Sequence, residues 1–245
     1  MKAMILAAGL GTRLRPLTDI CPKALVEVAG RTLLEITIRQ LASFGIRDVI
    51  VNVHHFADLV VEYLRKNANF GSRVEISREE ELLDTGGGLK KAAWFFADSI
   101  DAFVLHNVDV LSTIDLGKMM QFHREHQALV TLAVQERETS RYLLFDEDDQ
   151  LCGRLRGRDQ TPEVVRPSAG ALALAFSGIH VISPKFLELM SEDGVFSIID
   201  TYLRLAAAKE KILAFRADEY YWRDLGKPQN VAQAEQDVER QILRF

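Results

Sequence analysis

The chain predicts an α/β fold: a doubly wound, mainly parallel (mixed) sheet with helices on both faces. Three observations carry that expectation. Apolar runs of strand length alternate with longer stretches of helical period through the first half. A glycine pair follows the first run at once, where the first loop of such a sheet faces the crevice outside its strand ends. Hydrophobic residues make up 48% of 245, enough for a sizeable core, and no linker, low-complexity tract or internal repeat interrupts them, so 1–245 reads as a single domain.

Taken in order, strands are expected at Lys2 to Ala7, Asp48 to Val53, Val74 to Ser77 and Ala102 to His106. Helices are expected between them at Thr32 to Phe44, Ala57 to Asn67 and Gly88 to Phe96. Leu34, Ile38 and Leu41 repeat at helical spacing, and Gly45 is the stop signal that follows. The second half is less regular. Leu116 to His126 reads as helix, Leu129 to Gln135 as strand, and Leu143 to Leu151 as a hairpin turning at Asp146 to Gln150. Pro184 to Met190 and Ile198 to Ala208 read as helices and Ile212 to Arg216 as a strand. Pro228 opens a terminal helix running toward Phe245, since proline suits the first helical turn. Either a core or an interface could take that helix.

The formal net charge of −5 argues against a nucleic-acid-binding surface, leaving the local basic clusters to serve small anions. Cys21 and Cys152 lie far apart without metal-ligand spacing, and no signal peptide or membrane-length apolar segment is read, so a reducing cytoplasm is the expected home. Cys21 is read as a small filler rather than a nucleophile.

The most informative stretch follows the first strand: Ala8-Gly9-Leu10-Gly11-Thr12-Arg13-Leu14-Arg15-Pro16-Leu17-Thr18, then Pro22-Lys23-Ala24-Leu25. Glycines let the backbone approach a ligand and aim N–H groups at an anion, while Thr12, Arg13, Arg15 and Lys23 add a hydroxyl and three cations. That composition suits a polyphosphate. A dinucleotide fingerprint would need glycine where Leu14 stands, which disfavours a nicotinamide-dependent dehydrogenase, and the Gly-Lys-Ser/Thr of a Walker loop never occurs.

The string from Gly9 to Thr18 with its Pro-Lys-Ala-Leu sequel resembles the signature of sugar-1-phosphate nucleotidyltransferases, and the resemblance extends over nearly the whole chain. It implies a Rossmann-like nucleotidyltransferase fold, with a nucleotide-binding part at about 1–115, a sugar-binding part at about 116–226 and a terminal helix at about 227–245. It implies a nucleoside triphosphate and a sugar 1-phosphate as partners, with no nucleic acid and no membrane; a homo-oligomer stays open. Ala8, Gly9, Gly11, Thr12 and Arg13 would bind the nucleotide, and Arg13, Lys23 and Asp109 would be catalytic.

Asp109 follows an apolar strand in His106-Asn107-Val108-Asp109, and Asp224 lies in Trp222-Arg223-Asp224-Leu225-Gly226. An aspartate in such a place is ordinarily a cap or turn residue. Mg²⁺, however, takes one or two carboxylates beside substrate phosphates, and in the resembled family acids at these two motif positions hold the metal. The expected cofactor is therefore Mg²⁺ on Asp109 and Asp224. Asn107, Lys23 and Gly178, the last in Phe176-Ser177-Gly178-Ile179, are assigned to the sugar phosphate side.

Arg78 to Gly88 places three glycines beside an expected helix, whose N-terminal N–H groups would be open to a ligand. It resembles the family's E-x-x-x-L-x-T-G-G segment, implying that Glu79, Asp84, Thr85 and Gly86 line the base pocket. A carboxylate only accepts hydrogen bonds, so Glu79 favours uracil, thymine or guanine over cytosine and adenine. The compact length and the Leu83 to Gly88 segment look most like the uridylyltransferases acting on N-acetylmuramate 1-phosphate, whose products feed cell-wall synthesis. A guanylyl- or thymidylyltransferase on a heptose or hexose 1-phosphate is the alternative, and a non-catalytic nucleotide-sugar-binding subunit is another. The family's Glu-Lys-Pro segment, which helps hold the sugar phosphate, has no counterpart here; Arg154, Arg156, Arg158 and Arg166 stand in that region instead.

Overall fold

A computed structural model describes residues 1–156, 159, 161–168 and 170–243. The first half runs β1 (Lys2–Leu6), a ribbon of β2 (Glu27–Val28) and β3 (Arg31–Thr32), α1 (Leu33–Ser43), β4 (Asp48–Val53), α2 (Ala57–Lys66), β5 (Arg73–Arg78), α3 (Asp84–Lys91), β6 (Phe103–Asn107), β7 (Val110–Ser112) and α4 (Leu116–Glu125). The second half runs β8 (Val130–Gln135), β9 (Tyr142–Phe145), β10 (Leu151–Arg156), β11 (Thr161–Val164), β12 (Leu172–Ile182), α5 (Lys185–Glu188), α6 (Ile198–Ala207), β13 (Ile212–Arg216), β14 (Trp222–Asp224) and α7 (Pro228–Glu239).

The central sheet is ordered β5-β4-β1-β6-β12-β8-β13, and β12 is antiparallel to its neighbours while the others are parallel. The expected doubly wound, mixed sheet is therefore present. The hairpin β9-β10, extended by β11, branches off the N-terminal half of β12. That branch is possible because β12 is long and carries a bulge: its register against β8 slips between Phe176 and His180, where Gly178 takes φ +75.

Alternation along β1 sends Ala3 and Ile5 to one face and Met4 and Leu6 to the other. One layer, containing α1, α2, α4 and α7, buries Leu34, Ile38, Val60, Met119 and Ala234. The second, containing α3, α5 and α6, buries Leu89, Phe186, Ile198 and Tyr202. Each large aliphatic side chain removed from water contributes about 1.5–3 kcal/mol. Thr32 caps α1 by accepting the Glu35 N–H at 3.1 Å, and Gly45 at φ +78 ends it.

Two expectations change. The third helix begins at Asp84, and all three glycines lie inside it; the segment Ala93–Phe96 is a separate 3₁₀ turn. The terminal helix ends at Glu239, and its buried Val231, Ala234 and Asp237 pack it onto the body of the protein. Among the described residues no helix is long and apolar enough to cross a membrane.

Candidate active site

Because β1, β4, β5, β6, β8 and β13 run the same way, their carboxyl ends meet at one edge, joined there by the N-terminal half of β12. A cleft of about 1060 Å³ opens along that edge. Arg13, Asp84, Thr85, Asn107, Gly178 and Asp224, six residues singled out from the sequence, line it together.

The loop after β1 is a tight structure rather than a loose turn. Gly11 sits at φ +64, and a Cβ there would lie 2.9 Å from Thr18 Cγ2 and 3.1 Å from Lys23 Cβ. Thr18 Oγ1 donates to Gly11 O at 2.8 Å, and Leu14 is fully buried, so the leucine that spoils a dinucleotide fingerprint anchors this loop to the core. Gly9 differs: a Cβ there would meet nothing within 4 Å. Ala8 is buried and Thr12 exposed. Arg13 has no hydrogen-bond or ion-pair partner among the described residues, and its guanidinium lies over Gly226.

Asp109 and Asp224 arrive on the two sides of a small ribbon. Asp224 pairs with Val110 in the β7–β14 register, and Leu225 N donates to Asp109 O at 2.8 Å. Lys23 forms a close ion pair with the Asp109 carboxylate. Asp224 Oδ1 accepts the Gly226 N–H at 2.6 Å. A Cβ on Gly226 would lie 2.6 Å from Arg13 Nη2 and 2.7 Å from Asp224 Oδ1. Gly226 therefore lets the cation of the first loop and the acid of β14 share one spot; its only sequence signal is its place in Trp-Arg-Asp-Leu-Gly.

Asp224 lines the cleft, whereas Asp109, 7% exposed and paired with Lys23, does not; it precedes the strand that β14 pairs with, and two such hard-oxygen carboxylates form a donor set that suits Mg²⁺ with phosphate completing the shell. No cluster of three or more potential ligands exists among the described residues, so the protein alone would not cage a metal.

The glycine-rich segment is not an open helix end. Gly86 N and Gly87 N both donate to Phe196 O, at 3.0 and 3.3 Å, and a Cβ on Gly86 or Gly87 would collide with Phe196 or with Gly194 O. These glycines exist to let α3 abut the chain before α6. Thr85 Oγ1 accepts the Ile198 N–H, tying the same two segments. Asp84, at φ 58, holds the Thr85 N–H at 2.6 Å.

Glu79 stands behind the cleft. It is 5% exposed, and its carboxylate accepts from Asn52 Nδ2 at 2.6 Å and Leu83 N at 3.0 Å, while Asn52 Oδ1 accepts Ala7 N at 2.7 Å. The base segment is thereby tied to the end of β1. His54 Nδ1 contacts Glu79 O at 2.9 Å, a structural place for that histidine. Burial pushes the Cys21 thiol up, with Glu27 adding to it, which suits a filler.

On the far side, Gly178 meets Asn107: a Cβ there would lie 2.8 Å from Asn107 Nδ2. Arg154 is held by Glu163 and Asp200, Arg156 by Glu163, and Arg166 by Asp146 and Gln150. Arg158 lies outside the described residues. Arg154 and Arg156 line the cleft, and so does an arginine that sequence reasoning missed, Arg137 beyond the end of β8.

The family model described as "Nucleotidyl transferase" matches residues 2–241. An N-acetylmuramate alpha-1-phosphate uridylyltransferase of Caulobacter vibrioides is 34% identical over 95% of this chain and 95% of its own length. A mannose-1-phosphate guanyltransferase of Yarrowia lipolytica is 29% identical over 94% of this chain, which spans 62% of that relative. Among solved structures, HddC from Yersinia pseudotuberculosis complexed with GMP-PN superposes with a TM-score of 0.75 at 24% identity, covering 97% of this chain and 99% of its own. A UDP-glucose pyrophosphorylase complexed with UDP-glucose gives 0.79 at 17%, covering 98% of both. With a matched model spanning nearly its full length and a relative above 30% identity, this chain belongs to the nucleotidyl transferase family.

Proposed function

We propose that the protein is a sugar-1-phosphate nucleotidyltransferase, joining a nucleoside triphosphate, UTP in preference, to a sugar 1-phosphate with release of pyrophosphate. The observation that carries this reading is the meeting of Arg13 and Asp224 over Gly226, beside the Lys23–Asp109 ion pair. A cation without a protein partner meeting a carboxylate in the cleft, with a second carboxylate and its compensated lysine on the adjoining chain, is what a highly charged polyphosphate requires.

The reaction is a single in-line displacement. An oxygen of the sugar 1-phosphate forms a bond to the α-phosphorus while the bond to the bridging α–β oxygen breaks and pyrophosphate leaves with that electron pair. The attacking phosphate, with a second pKa of about 6, is already an anion near neutrality and needs no general base. Arg13 neutralises the triphosphate from the loop side. Lys23, exchanging its carboxylate for phosphate oxygens, draws the two substrates together. Mg²⁺, held by Asp109 and Asp224, would supply charge neutralisation and polarisation at the α-phosphate. Positioning and electrostatics thus provide most of the catalysis. Gly9 leaves open space in which a triphosphate can pass close to the protein backbone.

The preference for UTP is supported by the Leu83 to Gly88 resemblance and by likeness to a uridylyltransferase; Glu79 supports it only through the segment it holds, since its carboxylate points to Asn52 and Leu83. We place the reaction in the cytoplasm, in nucleotide-sugar and cell-wall precursor synthesis. Pyrophosphate release measured over UTP, GTP, dTTP and CTP crossed with several sugar 1-phosphates tests the reading. Turnover with UTP is expected, and Arg13→Ala should lower it about 10²–10³-fold. No release with any pair, or full activity in that variant, would overturn it.

A further inference from the structure

We propose that Arg137 binds the phosphate of the sugar 1-phosphate, filling the role left vacant by the missing Glu-Lys-Pro segment; this rests on the transferase reading above. Arg137 follows β8 at the ligand edge of the sheet and lines the cleft with Asn107, Gly178 and Asp224. Its guanidinium carbon lies 3.6 Å from the centroid of the Trp222 ring, and Nη2 donates to Phe176 O at 2.8 Å. Trp222 is itself pinned, its Nε1 donating to Ser177 O at 2.7 Å. Both anchors belong to the two structures that build the sugar side, the bulge in β12 and strand β14.

That clamp fixes the guanidinium without neutralising it. Nε is buried with no partner, and no carboxylate of the described residues lies within ion-pair distance. The contrast with Arg154, Arg156 and Arg166 is sharp, since each of those is already held by carboxylates. Burial pushes the Arg137 pKa down, and Asp224 is the charge that opposes the shift. A fixed, half-buried guanidinium short of a counter-charge is suited to a phosphate, which accepts two of its N–H groups side by side. Asp224 lines the same cleft as Arg137 and Arg13. One arginine then serves each substrate.

The test measures KM for each substrate separately in Arg137→Ala and Arg137→Lys. For Arg137→Ala, KM for the sugar 1-phosphate should rise about 10–100-fold, as expected for losing a hydrogen-bonded charge, with KM for the nucleotide within about two-fold. Arg137→Lys should recover part of the loss. Equal rises in both KM values, or an unchanged sugar KM, would overturn the proposal. A second readout needs no turnover. Trp222 and Trp94 are the two tryptophans, so in a Trp94→Phe background fluorescence reports the ring beneath Arg137. Glucose 1-phosphate and N-acetylglucosamine 1-phosphate should change this signal where glucose does not, and Arg137→Ala should abolish the change. Should the wild type turn over no substrate pair yet show that phosphate-dependent signal, the transferase reading fails and Arg137 stands. Should turnover proceed with Arg137→Ala indifferent in both readouts, the reading stands and Arg137 fails. No phosphate-dependent signal in the wild type also overturns the proposal.

Discussion

A methyl group on Gly226 has no room, because Arg13 Nη2 and Asp224 Oδ1 would both lie inside van der Waals contact. The flexible partner is the Arg13 side chain, which would swing away while the strand stays in place. Gly226→Ala is therefore expected to reduce turnover about 10²-fold, much as loss of an electrostatic stabiliser does, while costing stability no more than about 1 kcal/mol. Steady-state kinetics beside urea denaturation would check it, and a variant that loses stability but not rate would contradict it. Gly9 makes the complementary case. Its added Cβ would meet only open space, so Gly9→Ala should fold normally and raise KM for the nucleotide, where the backbone must pass close to phosphate. Near-normal KM for the nucleotide in that variant would argue that the loop does not face the triphosphate.

Helix α7 reaches the site through a buried carboxylate. Asp237, 4% exposed, accepts from Tyr221 OH at 2.7 Å, Arg223 Nη2 at 2.8 Å and Gln233 Nε2 at 3.1 Å, while Asn230 Nδ2 donates to Asp224 O at 2.7 Å. Burial alone would raise the Asp237 carboxyl, but these hydrogen bonds and the Arg223 charge outweigh it and hold it low. Burial pushes Tyr221 up to about 12, with Asp237 adding to the shift. Asp237→Ala should cost about 1–3 kcal/mol in urea unfolding and lower turnover by loosening β14, whereas Asp237→Asn keeps the shape and should lose less. An active, destabilised Asp237→Ala would separate the helix from the site. None of this was readable from the sequence, where α7 could as well have covered an interface. The parallel strands and α1, α2 and α6 were legible because their apolar periodicity is local. Helix α3 was misplaced because three glycines argue against a helix, and what favours it, close packing on Phe196 and Gly194, is distant in the chain. The ribbon β7–β14 is three residues deep, too short to show a pattern, and Arg137 acquires meaning only through Trp222. That Arg13, Asp84, Thr85, Asn107, Gly178 and Asp224 share one cleft was legible because each lies in a motif or at a strand end.

Folding also buries three histidines where protonation is disfavoured. His106 on β6 and His180 on β12 are neighbours within the central sheet, and His123 on α4 is wedged between Thr131 and Ser183 at 2.9 Å each. Burial lowers all three, His106 and His123 to about 4 and His180 to about 3, with His106 adding to the shift of His180 and Arg124 to that of His123. In the unfolded chain each would titrate near 6.5. Between about pH 6.5 and 4 the unfolded state thus binds protons that the folded state refuses, so stability is full above that window and falls as pH drops through it. Each group contributes a slope of up to about 1.4 kcal/mol per pH unit. The urea midpoint should accordingly drop steeply from pH 6.5 to pH 5, ahead of most carboxylate titration. His123→Gln, which keeps hydrogen-bonding capacity toward Thr131 and Ser183 but cannot protonate, should flatten that slope by about one group's share. A midpoint indifferent to pH between 7 and 5 would mean that the folded protein protonates these rings despite their burial.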